Sequence, residues 1–349
     1  MFFIKELIFS KGVFESQVFR CRASVFLFFL MFLPNLVYSQ EDASNVSDNL
    51  TPIVSFLLQS SDGQCPAIST ATTVVGDQSI SNQSDIDDLL GVTRVVGNID
   101  VSNVSSSTLD FSPLDSLVEV TATIGFNQTL LTSIDGFGCL SVIGGGLFVG
   151  SNGALINLPS FDSLTSIAQD VNISGNPMLS SLPTFSSLSS LGGSLAVGTN
   201  ALLVNAPDFE ALISVGMEIN FTGNPLLTSL PQFPVLTTIG TNIGIGSNSA
   251  LEAISGFPLL NSLGGFVNIA GHSNLDDISG FQSLSSIGGD LIIGGNSGLM
   301  SISGFAVLES NDVVGQIIIN ANQQLDCANP VPNFVPVADS RENSVNCLN

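Results

Sequence analysis

The chain has 349 residues, with 6 basic against 29 acidic side chains, 34 glycines, no tryptophan and a formal net charge of −23. That charge argues against a surface that grips nucleic acid or an anionic membrane, because both need clustered Lys and Arg. One histidine, His272, and five cysteines leave little material for a metal centre.

Residues 1–39 read as a secretion signal. Lys5, Lys11, Arg20 and Arg22 precede an apolar run over 23–33, Pro34 follows, and Val37-Tyr38-Ser39 offers a small-residue cleavage site before Gln40. The run is short for a membrane span, while the long leading region leaves a signal anchor as the alternative. Cleavage removes four of the 6 basic residues together with Glu6 and Glu15, so the mature chain has no lysine and a net charge near −25. Residues 40–64 are polar apart from an apolar patch at 53–58 and read as a flexible lead-in.

Cys65-Pro66 opens the folded part, and residues 65–130 read as atypical coils. Strand-like segments lie around Val74-Val75, Ile99-Asp100-Val101 and Val120 to Ile124, and Phe111 precedes Phe137 by 26 residues. From residue 131 to 310 the pattern becomes regular. Phenylalanines stand at 137, 161, 185, 209, 233, 257, 281 and 305, each step being 24 residues. With Phe as position zero, apolar residues recur at +3 (Leu140 to Leu308), +6 (Ile143 to Ile287), +10, +12, +18 and +21. The step of two within Leu291-Ile292-Ile293 marks a short strand. Glycines at +7 and +8, such as Gly264-Gly265 and Gly288-Gly289, are expected at a corner where the chain takes positive φ. Asparagine recurs at +15 (Asn152, Asn176, Asn200, Asn224, Asn248, then His272, then Asn296), where an inward amide satisfies turn backbone. His272 therefore reads as a substituted rung, against a metal-ligand or pH-switch reading for which no second His or Cys stands by.

A fixed period of this length means stacked coils, since one coil cannot bury its own apolar face. The expected fold is all-β, a right-handed β-helix or leucine-rich-repeat-like solenoid of 24-residue coils; with coils ~4.8 Å apart, eight make a rod of about 40 Å. Residues 311–327 read as the C-terminal cap, with a last strand at Ile317-Ile318-Ile319 displaced by two residues, and Asn322 and Leu325 continuing the pattern. Residues 328–349 are a polar tail containing Pro330, Pro332 and Pro336, with no hydrophobic anchor signal.

Once Cys21 leaves with the signal, four cysteines allow three pairings. Cys327 with Cys347 would close the tail, which leaves Cys65 with Cys139 across roughly three coils. Asn-x-Ser/Thr sequons stand at Asn45, Asn49, Asn82, Asn103, Asn127, Asn172 and Asn220, and together with the signal and paired cysteines they point to a secreted glycoprotein.

The phrase from Ile278 to Ile293, ISGFQSLSSIGGDLII, and its repetition over roughly 65–327 resemble the receptor L-domain repeat. That is the leucine-rich, β-helix-like module of insulin- and EGF-receptor ectodomains and of fungal cell-wall L-domain proteins. The resemblance implies an extracellular, non-enzymatic module for ligand binding, adhesion or wall organisation, whose partner is an extracellular protein or glycan. The chain departs from receptors in lacking kinase, cysteine-rich and transmembrane parts.

The long strand has an outward slot at +11: Phe148, Asn172, Ala196, Asn220, Gly244, Asn268 and Ile292. Glycans on Asn172 and Asn220 would cover the middle of this column, leaving Phe148, Asn268 and Ile292 as candidate contacts. Hydroxyl columns at +5 (Ser166, Ser190, Ser214, Thr238, Ser262, Ser286) and +4 (Thr165, Ser189, Thr237, Ser285) offer an ice- or polysaccharide-facing alternative. A purely structural wall or matrix component is the other. An enzyme or a divalent-cation site would have to use Asp85, Asp87 and Asp88, or Asp276 and Asp277, with no basic residue beside them. No catalytic residue, metal or cofactor is expected.

Overall fold

The computed structural model describes Cys65, Pro66, 72–325 and the backbone of Ser344–Val345. The signal and lead-in, and Cys327 and Cys347, lie outside these residues. The described residues from Pro66 onward belong to one compact unit.

This unit is a parallel β-solenoid. The typical coil contributes a four-residue strand to a 12-stranded sheet (the long sheet) and a two- or three-residue strand to a 10-stranded sheet (the short sheet). A third side is held by bridges such as Ser133↔Asn157, Ser181↔Asn205 and Asp277↔Ser301, and by the pair Ala253–Ile254 and Asp277–Ile278. Pairing between consecutive coils is parallel and in register at the 24-residue step, as in Val171↔Leu195 and Leu195↔Ile219. Ser344–Val345, in the expected polar tail, adds a strand to the long sheet against Ile318 and Ile319.

The apolar slots build one continuous core. Leu140, Leu164, Leu188, Leu212, Leu236, Leu260, Leu284 and Leu308 are all fully buried, each contributing roughly 1.5–3 kcal/mol by leaving water. Phe161 to Phe305 form an unbroken stack with centroids 5.5 to 5.0 Å apart and planes within 14°. The coil spacing of ~4.8 Å sets that distance. Phe137 does not join the stack face to face. It sits at φ 65 after Gly136 at φ 83, tilts 45° to Phe161 and meets Phe126 edge-on at 5.9 Å.

The irregular first step resolves into two local changes. Val120 pairs with Ile143 although it lies nine residues after Phe111 rather than six, because the turn at Ser112–Leu114 and buried Leu117 lengthen the corner. One residue is then lost where Thr129 takes the place of the +15 asparagine. The stretch from Val120 to Ile124 is consequently two strands, Glu119–Val120 and Ile124–Asn127, separated by a corner. At the other end Leu291 pairs with Ile317, so the two-residue displacement is absorbed before the strand.

The +7 and +8 glycines serve a different purpose from the one expected. None has positive φ; instead a Cβ at Gly240 would run into the Gly216 carbonyl oxygen, and one at Gly288 into that of Gly264. At these glycines the preceding coil leaves no room for a Cβ, whereas Ala168 at +7 and Gln169, Met217 and Thr241 at +8 show that the corner admits side chains in other coils. Left-handed backbone falls instead at +14, before each ladder residue: Ser151, Gly175, Thr199, Gly223, Ser247, Gly271 and Gly295. Thr199, β-branched at φ 52, carries the strain that L-residues feel there, about 1–2 kcal/mol. Thr199→Gly should therefore stabilise the protein by about 0.5–1 kcal/mol after glycine's own entropic cost, read as a higher midpoint in urea.

Several carboxylates that read as a scattered solvating charge have structural duties. Asp170 Oδ1 accepts the Ser194 N–H at 2.7 Å, Asp208 Oδ1 that of Gln232 at 2.8 Å and Asp290 Oδ1 that of Gln316 at 2.7 Å. Asp162 accepts both the N–H and hydroxyl of Ser186, and the hydroxyl bond holds its pKa below the ordinary value. Each pins a corner to the next coil.

Candidate functional site

The +15 ladder is fully buried and fully connected. The N–H of Asn176 donates to Asn200 Oδ1 at 3.0 Å, that of Asn200 to Asn224 Oδ1 at 3.1 Å and that of Asn224 to Asn248 Oδ1 at 2.9 Å. Each amide nitrogen donates back to a strand carbonyl, as Asn200 Nδ2 does to Ile173 O at 2.9 Å. The N–H and hydroxyl of Thr129 close the ladder at one end by donating to Asn152 Oδ1, and Asn322 extends it at the other.

His272 occupies its rung as a neutral ring. Its Nδ1 stands 3.3 Å from the Asn248 nitrogen and 3.0 Å from the Asn248 carbonyl oxygen, and its Nε2 is 3.1 Å from the Ile245 carbonyl; with the proton on Nε2 the ring repeats the amide pattern, Nδ1 accepting and Nε2 donating. Burial holds its pKa below the ordinary value. The unfolded chain therefore binds a proton first. The His272 contribution is complete above about pH 6.5 and declines as pH falls below it. His272→Asn should retain stability within about 1 kcal/mol at pH 8 and abolish that decline, measured by urea unfolding between pH 8 and 5.

The three contact candidates do not form one site. Asn268 and Ile292 are register neighbours on the long sheet, whereas Phe148 lies five strands from Asn268, about 24 Å. All three are half-buried. Asn172 and Asn220 share the same outward column, and their Oδ1 atoms accept hydroxyls from Ser174 at 2.6 Å and Thr222 at 2.7 Å. Strand geometry puts i and i+2 on one face, so the sequon folds onto itself. Asn268 lacks this partner because Ala270 stands two residues on, and its Oδ1 is buried with no hydrogen bond. Ala270→Ser should supply the donor and raise stability by about 1 kcal/mol, read as a shift in the urea midpoint.

The two hydroxyl columns separate. Those at +4 are spent on the fold: Thr165, Ser189, Thr237 and Ser285 donate to the carbonyls of Ser141, Thr165, Ile213 and Asn261 in the preceding coil. The +5 hydroxyls stand in register on the short sheet, Ser190 beside Ser214, Thr238 beside Ser262, Ser262 beside Ser286. They point outward at a repeat of ~4.8 Å. The same column continues toward the N-terminus as Val142, Glu119 and Arg94, the last two joined by an ion pair at 2.8 Å.

The carboxylate candidates stay apart from one another in role. Asn82 caps the helix Gln83–Asp87, and Asp85 Oδ2 accepts from the Ser81 N–H at 2.7 Å and from Asn82, which lowers its pKa. Asp87 accepts from Gln83 Nε2. Asp277 lies in the third-side strand, and the Asp276 carbonyl accepts the Met300 N–H. Asp115 has a pKa raised by burial, with Asp135 and Asp110 nearby adding to the effect. Among the described residues no three His, Cys, Asp or Glu side chains gather as a metal site, and no helix is long and apolar enough to cross a membrane. Cys65 and Cys139 are each disulfide-bonded.

The sequence reading missed the hydroxyl partners Ser174 and Thr222 and the orphaned Asn268. Their signal was a 48-residue alternation laid over the 24-residue coil: Val171-Asn-Ile-Ser-Gly-Asn-Pro and Ile219-Asn-Phe-Thr-Gly-Asn-Pro alternate with Leu195-Ala-Val-Gly-Thr-Asn-Ala and Ile243-Gly-Ile-Gly-Ser-Asn-Ser. The fold defines the class, a parallel β-solenoid. No family profile, curated protein or solved structure matches the chain.

Proposed function

We propose that this chain is a secreted, non-catalytic binding or adhesion module of the cell surface, wall or extracellular matrix, akin to receptor L domains. The observation that carries this reading is the pair of rigid sheets whose outward residues stand in register over many coils. Side chains held at a fixed ~4.8 Å repeat meet an extended partner with little ordering cost. The N-terminal signal-like stretch and the sequons support an extracellular setting, and the partner is an extracellular protein or glycan. The +5 hydroxyl column of the short sheet is the face that supports contact with a glycan best.

The test is binding of the labelled, secreted full-length product to intact cells and washed walls. Saturable binding, competed by unlabelled protein and weakened by Ser214→Tyr in the middle of the hydroxyl column, supports recognition. Non-saturable or absent binding favours a purely structural matrix component.

A further inference from the structure

The coil repeats every 24 residues, but the outward surface of the long sheet repeats every 48. Asn172 and Asn220 carry the +11 slot in alternate coils, with Ala196 between them and Gly244 beyond. Their +13 partners Ser174 and Thr222 alternate with Gly198 and Gly246. The two asparagines thus stand two strands apart, about 10 Å. A sugar ring is wider than one strand spacing, so glycans on adjacent coils would collide. A two-coil step over alanine and glycine gives each one room.

The folded face also accommodates them, because a sugar on Nδ2 breaks no hydrogen bond. In both pairs the hydroxyl satisfies Oδ1, and no hydrogen bond from Nδ2 to the described residues is formed. Other sequon amides are engaged: Asn82 Nδ2 donates to Asp85 Oδ2 at 3.0 Å while its Oδ1 caps a helix, and the hydroxyl of the Asn127 sequon, on Thr129, is buried against Asn152. Phe148 is the register neighbour of Asn172 on the same face, its half-buried ring lying in the column. The face of an aromatic ring suits the C–H side of a pyranose.

We propose that the long sheet is a glycan-bearing face, with N-linked glycans on Asn172 and Asn220 and with Phe148 as the surface on which the first sugar at Asn172 packs. The inference deepens the extracellular reading and rests on it for access to the secretory route. In the transfer, the bond from the anomeric carbon of N-acetylglucosamine to the phosphate oxygen of a lipid-pyrophosphate oligosaccharide breaks. Its electron pair leaves with the pyrophosphate, Nδ2 bonds to that carbon, and one amide proton passes to a base. The strand pairing then fixes where each glycan projects, and leaves the +5 hydroxyls of the short sheet uncovered.

The experiment expresses the full chain in N-glycosylating eukaryotic cells twice, under its own N-terminus and behind a heterologous secretion leader. Site occupancy is read by peptide mass spectrometry after peptide-N-glycosidase treatment in heavy-oxygen water. Asn172 and Asn220 should be mostly occupied in both products. Occupancy only behind the added leader upholds the glycan face and overturns the extracellular reading. Bare Asn172 and Asn220 behind the leader, with Asn45 or Asn49 modified, overturns the glycan face. For Phe148, enzymatic deglycosylation should lower Tm by a few degrees in the wild type and by clearly less in Phe148→Ala; an equal fall in both overturns the packing role.

Discussion

Phe233→Ala should be among the most destabilising single substitutions in the chain. The ring is fully buried and lies between Phe209 at 5.3 Å and Phe257 at 5.1 Å. Truncation removes the transfer free energy of a phenyl group and leaves a cavity whose walls are themselves stacked, for a cost of about 3–5 kcal/mol. Two ring–ring contacts, each about 0.5–1.5 kcal/mol, go with it. The loss also has a spatial signature. Each coil of a solenoid touches only its neighbours, so a weak interface in the middle divides one cooperative unit into two. Unfolding by circular dichroism in urea should show a lower midpoint and a broadened transition. Phe305→Ala, at the end of the stack with one ring neighbour at 5.0 Å, should cost less and leave the transition sharp. A single sharp transition with less than about 1 kcal/mol lost in Phe233→Ala would show that the stack does not bind the coils together.

Asn200→Ala should cost nearly as much for the opposite chemical reason. The side chain removes little apolar surface, but two buried backbone groups depend on it: the Asn176 N–H and the Ile173 carbonyl. Each orphan costs about 1–3 kcal/mol, and water has no path to either, since Asn176, Asn200 and Asn224 are all fully buried. A loss of about 3–5 kcal/mol follows. Asn200→Leu should fare no better, because filling the volume leaves both backbone groups unpaired. Asn200→His is the discriminating variant. His272 already fills a rung with the same two contacts, so the imidazole should recover most of the stability at pH 8 and little at pH 5. Equal stability of the alanine and histidine variants would falsify the hydrogen-bonding role of the ladder.

Both predictions rest on residues legible before any coordinates, because the core of a solenoid is written at one period. The Phe, Leu and Asn slots face inward in every coil and repeat at 24 residues, so their role follows from recurrence alone. The surface is less legible. Thr165 and Ser166 are adjacent hydroxyls of similar character, yet Thr165 donates to a carbonyl of the preceding coil while Ser166 faces outward on the short sheet. Asn172 and Asn268 read alike at +11, and only Ser174 against Ala270 separates a satisfied amide from an orphaned one.

By itself, the sequence determined the period, the inward slots, the in-register parallel stacking and the two-residue displacement of the last strand. These are consequences of one coil needing another to bury its apolar face. Only the tertiary structure decided why +7 and +8 favour glycine, why +14 is left-handed, which carboxylates pin the corners and why Phe137 turns out of the stack. Those answers depend on how closely one coil passes over the next. A period states which residues recur, whereas the gap between coils is set by hydrogen bonding across the sheets, and at Gly240 that gap admits no Cβ.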